Sequence, residues 1–143
     1  MKKIICLVLV VLMIAAVAIA AKKMVITEKN LPDLKGTWEG ILSFGEFDAG
    51  TSPVKLEILN ISVPVKARLT IRNVPDRLAT RFGATGGEQV LESDDGTITS
   101  QGTLMWVGAT AKNFFEVSLS GEKKLGAWYY YKGMKGNATL KKK

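Results

Sequence analysis

From residue 36 onward the chain alternates apolar and polar side chains with a period of two, and this rules out most helical architectures. In PVKARLTIRNV (residues 64–74) Val65, Ala67, Leu69 and Ile71 alternate with Lys66, Arg68, Thr70 and Arg72. The preceding unit, PVKLEILNISV, places Val54, Leu56 and Ile58 against Lys55 and Glu57. Successive strand residues point to opposite faces, so each unit is apolar on one side and wet on the other, as in a half-buried antiparallel strand. The eleven-residue recurrence of Pro-Val-Lys is read as strand-and-turn spacing rather than as a duplicated module. No window carries an i, i+3, i+4, i+7 stripe long enough for a major helix.

The same alternation puts Trp38, Leu42 and Phe44 on one face of a first strand, and Phe115, Val117 and Leu119 on one face of a later one. Strands are expected near residues 37–44, 54–60, 65–73, 88–93, 97–101, 103–108, 113–120 and 125–132, with a ninth short one at 136–141. Asp94-Asp95-Gly96-Thr97 reads as a tight hairpin turn between two of them. A closed meander leaves no sticky edge, so the expected fold is an all-β, antiparallel up-and-down barrel of about eight strands over residues 36–143.

The first 21 residues, MKKIICLVLVVLMIAAVAIAA, have another texture: two lysines, then an uncharged run from Ile4 to Ala21. Ala18-Ile19-Ala20 supplies small residues where a signal peptidase requires them, so residues 1–20 are read as a signal peptide and residues 21–35 as a polar tether. Export to the periplasm or beyond follows. An uncleaved membrane anchor is the alternative, because 18 uncharged residues sit at the lower limit for a bilayer span. Cys6 leaves with the signal, and the chain has no histidine. The mature protein therefore has no disulfide, no imidazole or thiol metal ligand and no histidine-based nucleophile system. It is expected to be non-enzymatic, without cofactor or metal.

Leu34-Lys35-Gly36-Thr37-Trp38-Glu39-Gly40 resembles the Gly-x-Trp first strand of the lipocalins and the wider calycin-type barrels. In those families the tryptophan closes one barrel end under a basic side chain from near the end of the chain. The resemblance implies that role for Trp38 and makes Lys141 the candidate for the covering cation, a contact worth about 0.5–2 kcal/mol. Thr-Asp-Tyr of the usual second lipocalin motif is missing.

Candidate chemistry falls in three places. Trp38, Trp106, Tyr129 and Tyr131 are the aromatic candidates for an apolar ligand wall; alternation sends Trp128 and Tyr130 to the other face, and core packing is the competing reading. Arg77 and Arg81, four residues apart in DRLATRFGATGG, share a helical face beside Gly83, Gly86 and Gly87, a pattern suited to an anion; a lid with solvated arginines is the plainer account. Glu88, Glu92, Asp94 and Asp95 form an acidic cluster best read as a solvated turn.

Charge is distributed unevenly. Residues 1–122 carry 13 basic and 13 acidic side chains, so the net +7 comes from the seven lysines of residues 123–143. Lys141, Lys142 and Lys143 are accordingly the candidates for contact with an anionic lipid or glycan surface. Export argues against nucleic acid, and oligomeric state is not encoded in any motif. The expected function is a binding module for a small apolar ligand or an anionic envelope surface, with a filled-core structural or inhibitory envelope protein as the alternative.

Overall fold

The computed structural model describes residues 24–44, 50–74, 87–107, 113–131 and 134–143, without the side chains of Asn113, Tyr131 and Met134. The signal-peptide residues and the segment bearing Arg77 and Arg81 lie outside these. The chain forms a closed all-β barrel of eight antiparallel strands with one short helix. The strands are β1 (Gly36–Ser43), β2 (Thr51–Ile58), β3 (Val65–Val74), β4 (Gly87–Ile98), β5 (Leu104–Val107), β6 (Asn113–Gly121), β7 (Lys124–Tyr131) and β8 (Met134–Lys142). Each pairs with its sequence neighbour, and β8 closes on β1. Closure gives every strand two hydrogen-bonded neighbours and removes the aggregation hazard of an edge.

Register follows the alternation, because a one-residue slip would turn every apolar side chain outward. Cross-strand pairing carries inward residues around the barrel as continuous rows. One runs Leu104, Val117, Ala127, Ala138, Leu42, Ser52. A second runs Lys142, Trp38, Leu56, Leu69, Leu91. Large and small side chains mix within the rows, which lets a narrow barrel fill its interior. At Gly136 a Cβ would lie 2.9 Å from Phe44 Cε1 and 3.1 Å from Leu42 Cδ1, so the Phe44 ring and a Leu42 methyl take the space of the missing side chain.

Two expectations are corrected. The predicted hairpin at residues 94–97 does not exist: β4 runs unbroken through it, which is why there are eight strands and not nine. Val65 pairs with Gly96 and Ala67 with Ser93, so Asp94 and Asp95 stand against Lys66 alone as a two-against-one bulge. Ser93 donates its hydroxyl to Asp95 within the bulge, and the Lys66 amide donates to Asn60 Oδ1 at 2.7 Å. Gly96 serves close approach here: a Cβ would lie 2.3 Å from Trp106 Nε1 and 2.6 Å from the Val65 carbonyl. The reversal comes later, where Thr99 N–H donates to Thr103 O at 2.8 Å and Gly102 adopts φ +73°.

The second correction concerns the stretch read as a tether. Residues 28–34 form a 3-10 turn (Glu28–Asn30) running into helix α1 (Leu31–Leu34), with Pro32 in the first turn, where its missing N–H costs nothing. Asn30 ties the segment to itself, accepting from Thr27 N–H and donating to Val25 O, both at 2.9 Å. Ile26 N–H donates to Gly102 O at 2.8 Å, docking the segment on the β4–β5 turn. Ile26, Leu31 and Leu34 are at most 1% exposed and belong to the core. Burying each contributes about 1.5–3 kcal/mol, so residues 26–34 are a plug rather than a tether.

Candidate functional site

The two ends of the barrel differ. At the end carrying the plug, Trp38 is 1% exposed and donates its indole N–H to Leu34 O at 2.8 Å. Lys142 Nζ sits 5.6 Å from the Trp38 ring centroid and donates to Asp33 O at 2.5 Å. The covering cation is therefore Lys142, not Lys141. Strand parity is the reason: Lys142 pairs with Trp38 and shares its inward side, whereas Lys141 pairs with Glu39 and points out. The last residues are held as well, Lys142 N–H on Lys123 O at 3.2 Å and Lys143 N–H on Thr37 O at 3.0 Å. Trp38 thus seals an end under the plug and the C-terminal strand.

Toward the other end, where β1–β2, β3–β4, β5–β6 and β7–β8 are joined, an aromatic belt crosses the interior. Register runs Trp106, Phe115, Tyr129, Gly136. Trp106 lies 6.2 Å from Phe115 in a stacked arrangement, and Phe44 meets Tyr129 edge-on at 6.4 Å across the slot left by Gly136. Trp106 is 3% exposed and its indole N–H is committed to Val65 O at 2.8 Å, so only its ring faces remain for contact. Ser52 on β2, opposite Leu42, is fully buried, and among the described residues its hydroxyl has no hydrogen-bond partner. A buried hydroxyl without a partner costs about 1–3 kcal/mol.

Of the aromatic candidates, the structure brings Trp106 and Tyr129 together and leaves Trp38 apart as the seal; the Tyr131 side chain, Arg77 and Arg81 fall outside the described residues. Phe44 and Phe115 complete the belt, and Ser52 lies inward on β2 beside Leu42. The alternation that made Phe44 and Phe115 apolar-face residues was their only signal, and Ser52, at the start of a strand, had none.

The three terminal lysines do not share one orientation. Lys142 is turned under the barrel, Lys143 pairs with Glu39 at 2.9 Å, and Lys141 stands exposed. All three residues nevertheless line a shallow groove of about 540 Å³, together with Ile41, Pro53, Lys55 and Arg72. Of these, Lys55 pairs with Glu57 at 3.2 Å and Arg72 with Glu88 at 3.3 Å. On the β3–β4 wall, Arg68 Nε contacts Glu92 Oε1 at 2.6 Å, and this bond and charge hold the guanidinium pKa above its ordinary value. The acidic cluster is thus dispersed: Glu88 and Glu92 are paired, and Asp94 and Asp95 are exposed on the bulge. Among the described residues no group of three His, Cys, Asp or Glu side chains is placed to hold a metal, and no helix is long and apolar enough to cross a membrane.

Comparison with protein-family models, curated proteins and solved structures finds no significant match to this chain.

Proposed function

We propose that the chain is an exported, non-enzymatic, lipocalin-like binding barrel that takes a small, mainly apolar ligand into the end remote from Trp38. The observation that carries this reading is the asymmetry of the ends. One is plugged by residues 26–34, Trp38 and Lys142, whereas toward the other lie the ring contacts of Phe44 with Tyr129 and of Trp106 with Phe115, and the buried Ser52 hydroxyl, which no described residue partners. Apolar walls with one or two polar tips are the usual make-up of a small-molecule site. The Gly-x-Trp start and its inward terminal cation support the lipocalin-like assignment, and the leader-like first 20 residues support export.

A filled core without ligand, the mark of a structural or inhibitory envelope protein, is the second reading. It draws on the Gly136 slot, which Phe44 and Leu42 occupy. The two are separated by native mass spectrometry of protein from its own envelope, together with titration of stripped protein by a fluorescent fatty acid. Saturable one-to-one binding that Ser52→Leu abolishes while leaving the melting temperature within a few degrees is the expected result. Protein that carries no small molecule and never saturates would leave the interior as packing.

A further inference from the structure

The outer wall carries a pattern that neither the sequence nor the interior explains. Outward side chains of neighbouring strands line up by register. On β7 and β8, Tyr130 stands opposite Lys135, Trp128 opposite Asn137, and Lys124 opposite Lys141. On β8, β1 and β2 the rows continue as Thr139, Ile41, Pro53 and as Lys141, Glu39, Lys55. Interleaving along these strands therefore places Trp128, Tyr130 and Ile41 on the same wall as Lys124, Lys135, Lys141, Lys143 and Lys55. Ile41 is 53% and Tyr130 39% exposed, and Trp128 is half-buried with its ring lying along the strand 3.6 Å from where a Gly126 side chain would start.

Three carboxylates stand beside these cations: Glu39 on Lys143, Glu57 on Lys55, and Glu116, which accepts the Thr103 hydroxyl at 2.5 Å. No ion pair among the described residues involves Lys124, Lys135 or Lys141. The β3–β4 wall is the reverse: Arg68 and Arg72 are matched by Glu92 and Glu88, and Asp94 and Asp95 add unpaired negative charge beside Lys66. At about 3.3 Å per residue and 4.8 Å per strand, the cationic wall measures about 20 by 20 Å. That is the footprint of several lipid headgroups, and its aromatic side chains are those that favour a membrane–water interface.

We infer that the barrel docks on its side on an anionic bilayer, with β8 and β1 at the crest of the contact and β7 and β2 flanking it, its lysines on lipid phosphates and Tyr130, Trp128 and Ile41 in the headgroup layer. The exposed apolar side chains select a bilayer over a purely polar polyanion, because Ile41 gains nothing from a glycan but is desolvated by lipid. This reading stands apart from the interior ligand and survives its failure.

The test is co-sedimentation of the full mature chain with phosphatidylglycerol-containing vesicles and with neutral phosphatidylcholine vesicles, at low and at physiological salt. A parallel arm uses a sulfated polysaccharide. Each cation near an anionic surface contributes about fivefold in affinity, so the triple variant Lys124→Gln, Lys135→Gln, Lys141→Gln should bind anionic vesicles about a hundredfold more weakly. A triple variant with the same charge loss off this wall, Lys29→Gln, Lys66→Gln, Arg68→Gln, should lose under tenfold. The pair Ile41→Ser, Tyr130→Ser, with net charge unchanged, should lose vesicle binding at physiological salt while binding the polysaccharide as the wild type does. Circular dichroism melts confirm that each variant is folded. Equal loss in both triple variants would reduce the effect to net charge and overturn the proposal. So would vesicle binding indifferent to Ile41 and Tyr130, which would make the wall a polyanion site.

Discussion

At the scale of single residues, parity along a strand decides what a side chain does. Lys141 and Lys142 are chemically identical neighbours, yet one faces water and the other lies over the Trp38 ring and on the Asp33 carbonyl. Lys142→Met should therefore destabilise the protein by about 1–2 kcal/mol, through the lost cation–ring contact and the freed carbonyl, while Lys141→Met leaves stability within about 0.5 kcal/mol. Trp38→Ala removes the buried ring itself and should cost about 3–5 kcal/mol, a large share of what a small disulfide-free domain has. Urea denaturation of the three variants checks the order; equal effects at 141 and 142 would contradict the seal. The Trp38 role was legible in the sequence through Gly-x-Trp. Which lysine covers it was not, because three consecutive lysines offer both parities and only pairing with β1 chooses between them.

At the scale of elements, the barrel extends further toward the N-terminus than its strands. Residues 26–34 are short, polar on average and interrupted by Pro32, so their three buried residues present no periodic pattern. Their function as a plug depends on the hole they fill, which is made by strands distant in sequence. Leu31→Ala should cost about 2–5 kcal/mol, as a deleted core side chain does, whereas truncation of a true tether position would cost nothing measurable. Thermal unfolding followed by tryptophan fluorescence reads the difference, since Trp38 lies directly beneath the plug. The β4 bulge makes the same point in the opposite direction. Asp-Asp-Gly is strong turn chemistry taken alone, but Asp94 and Asp95 are accommodated as an outward bulge and Gly96 is required by the Trp106 indole.

At the scale of the whole molecule, closure and polarity matter together. The ring of eight strands produces one plugged end and one end with the aromatic belt, and its outer wall separates into a cationic aromatic side and a charge-matched side. The proposed export of this barrel carries a prediction about its first 20 residues. Mature protein recovered from the envelope should be lighter than the full chain by about 2 kDa, with a new N-terminus at Ala21, and intact mass spectrometry decides it. A full-length mass would favour the uncleaved anchor instead.

The sequence by itself determined the class and much of the register of this protein. Period-two alternation in β1, β2, β3, β6 and β7 leaves one apolar face per strand, and burying eight such faces without an edge leads to a barrel. Its lack of histidine equally leaves the chain without an imidazole ligand or a histidine-based nucleophile system. Three things depended on the tertiary structure: that residues 26–34 are core, that Asp94-Asp95-Gly96 bulges instead of turning, and that Lys142 turns inward while Lys141 faces out. Each depends on a contact between residues far apart in the chain, and a local pattern carries no information about the partner that a closed barrel brings to it.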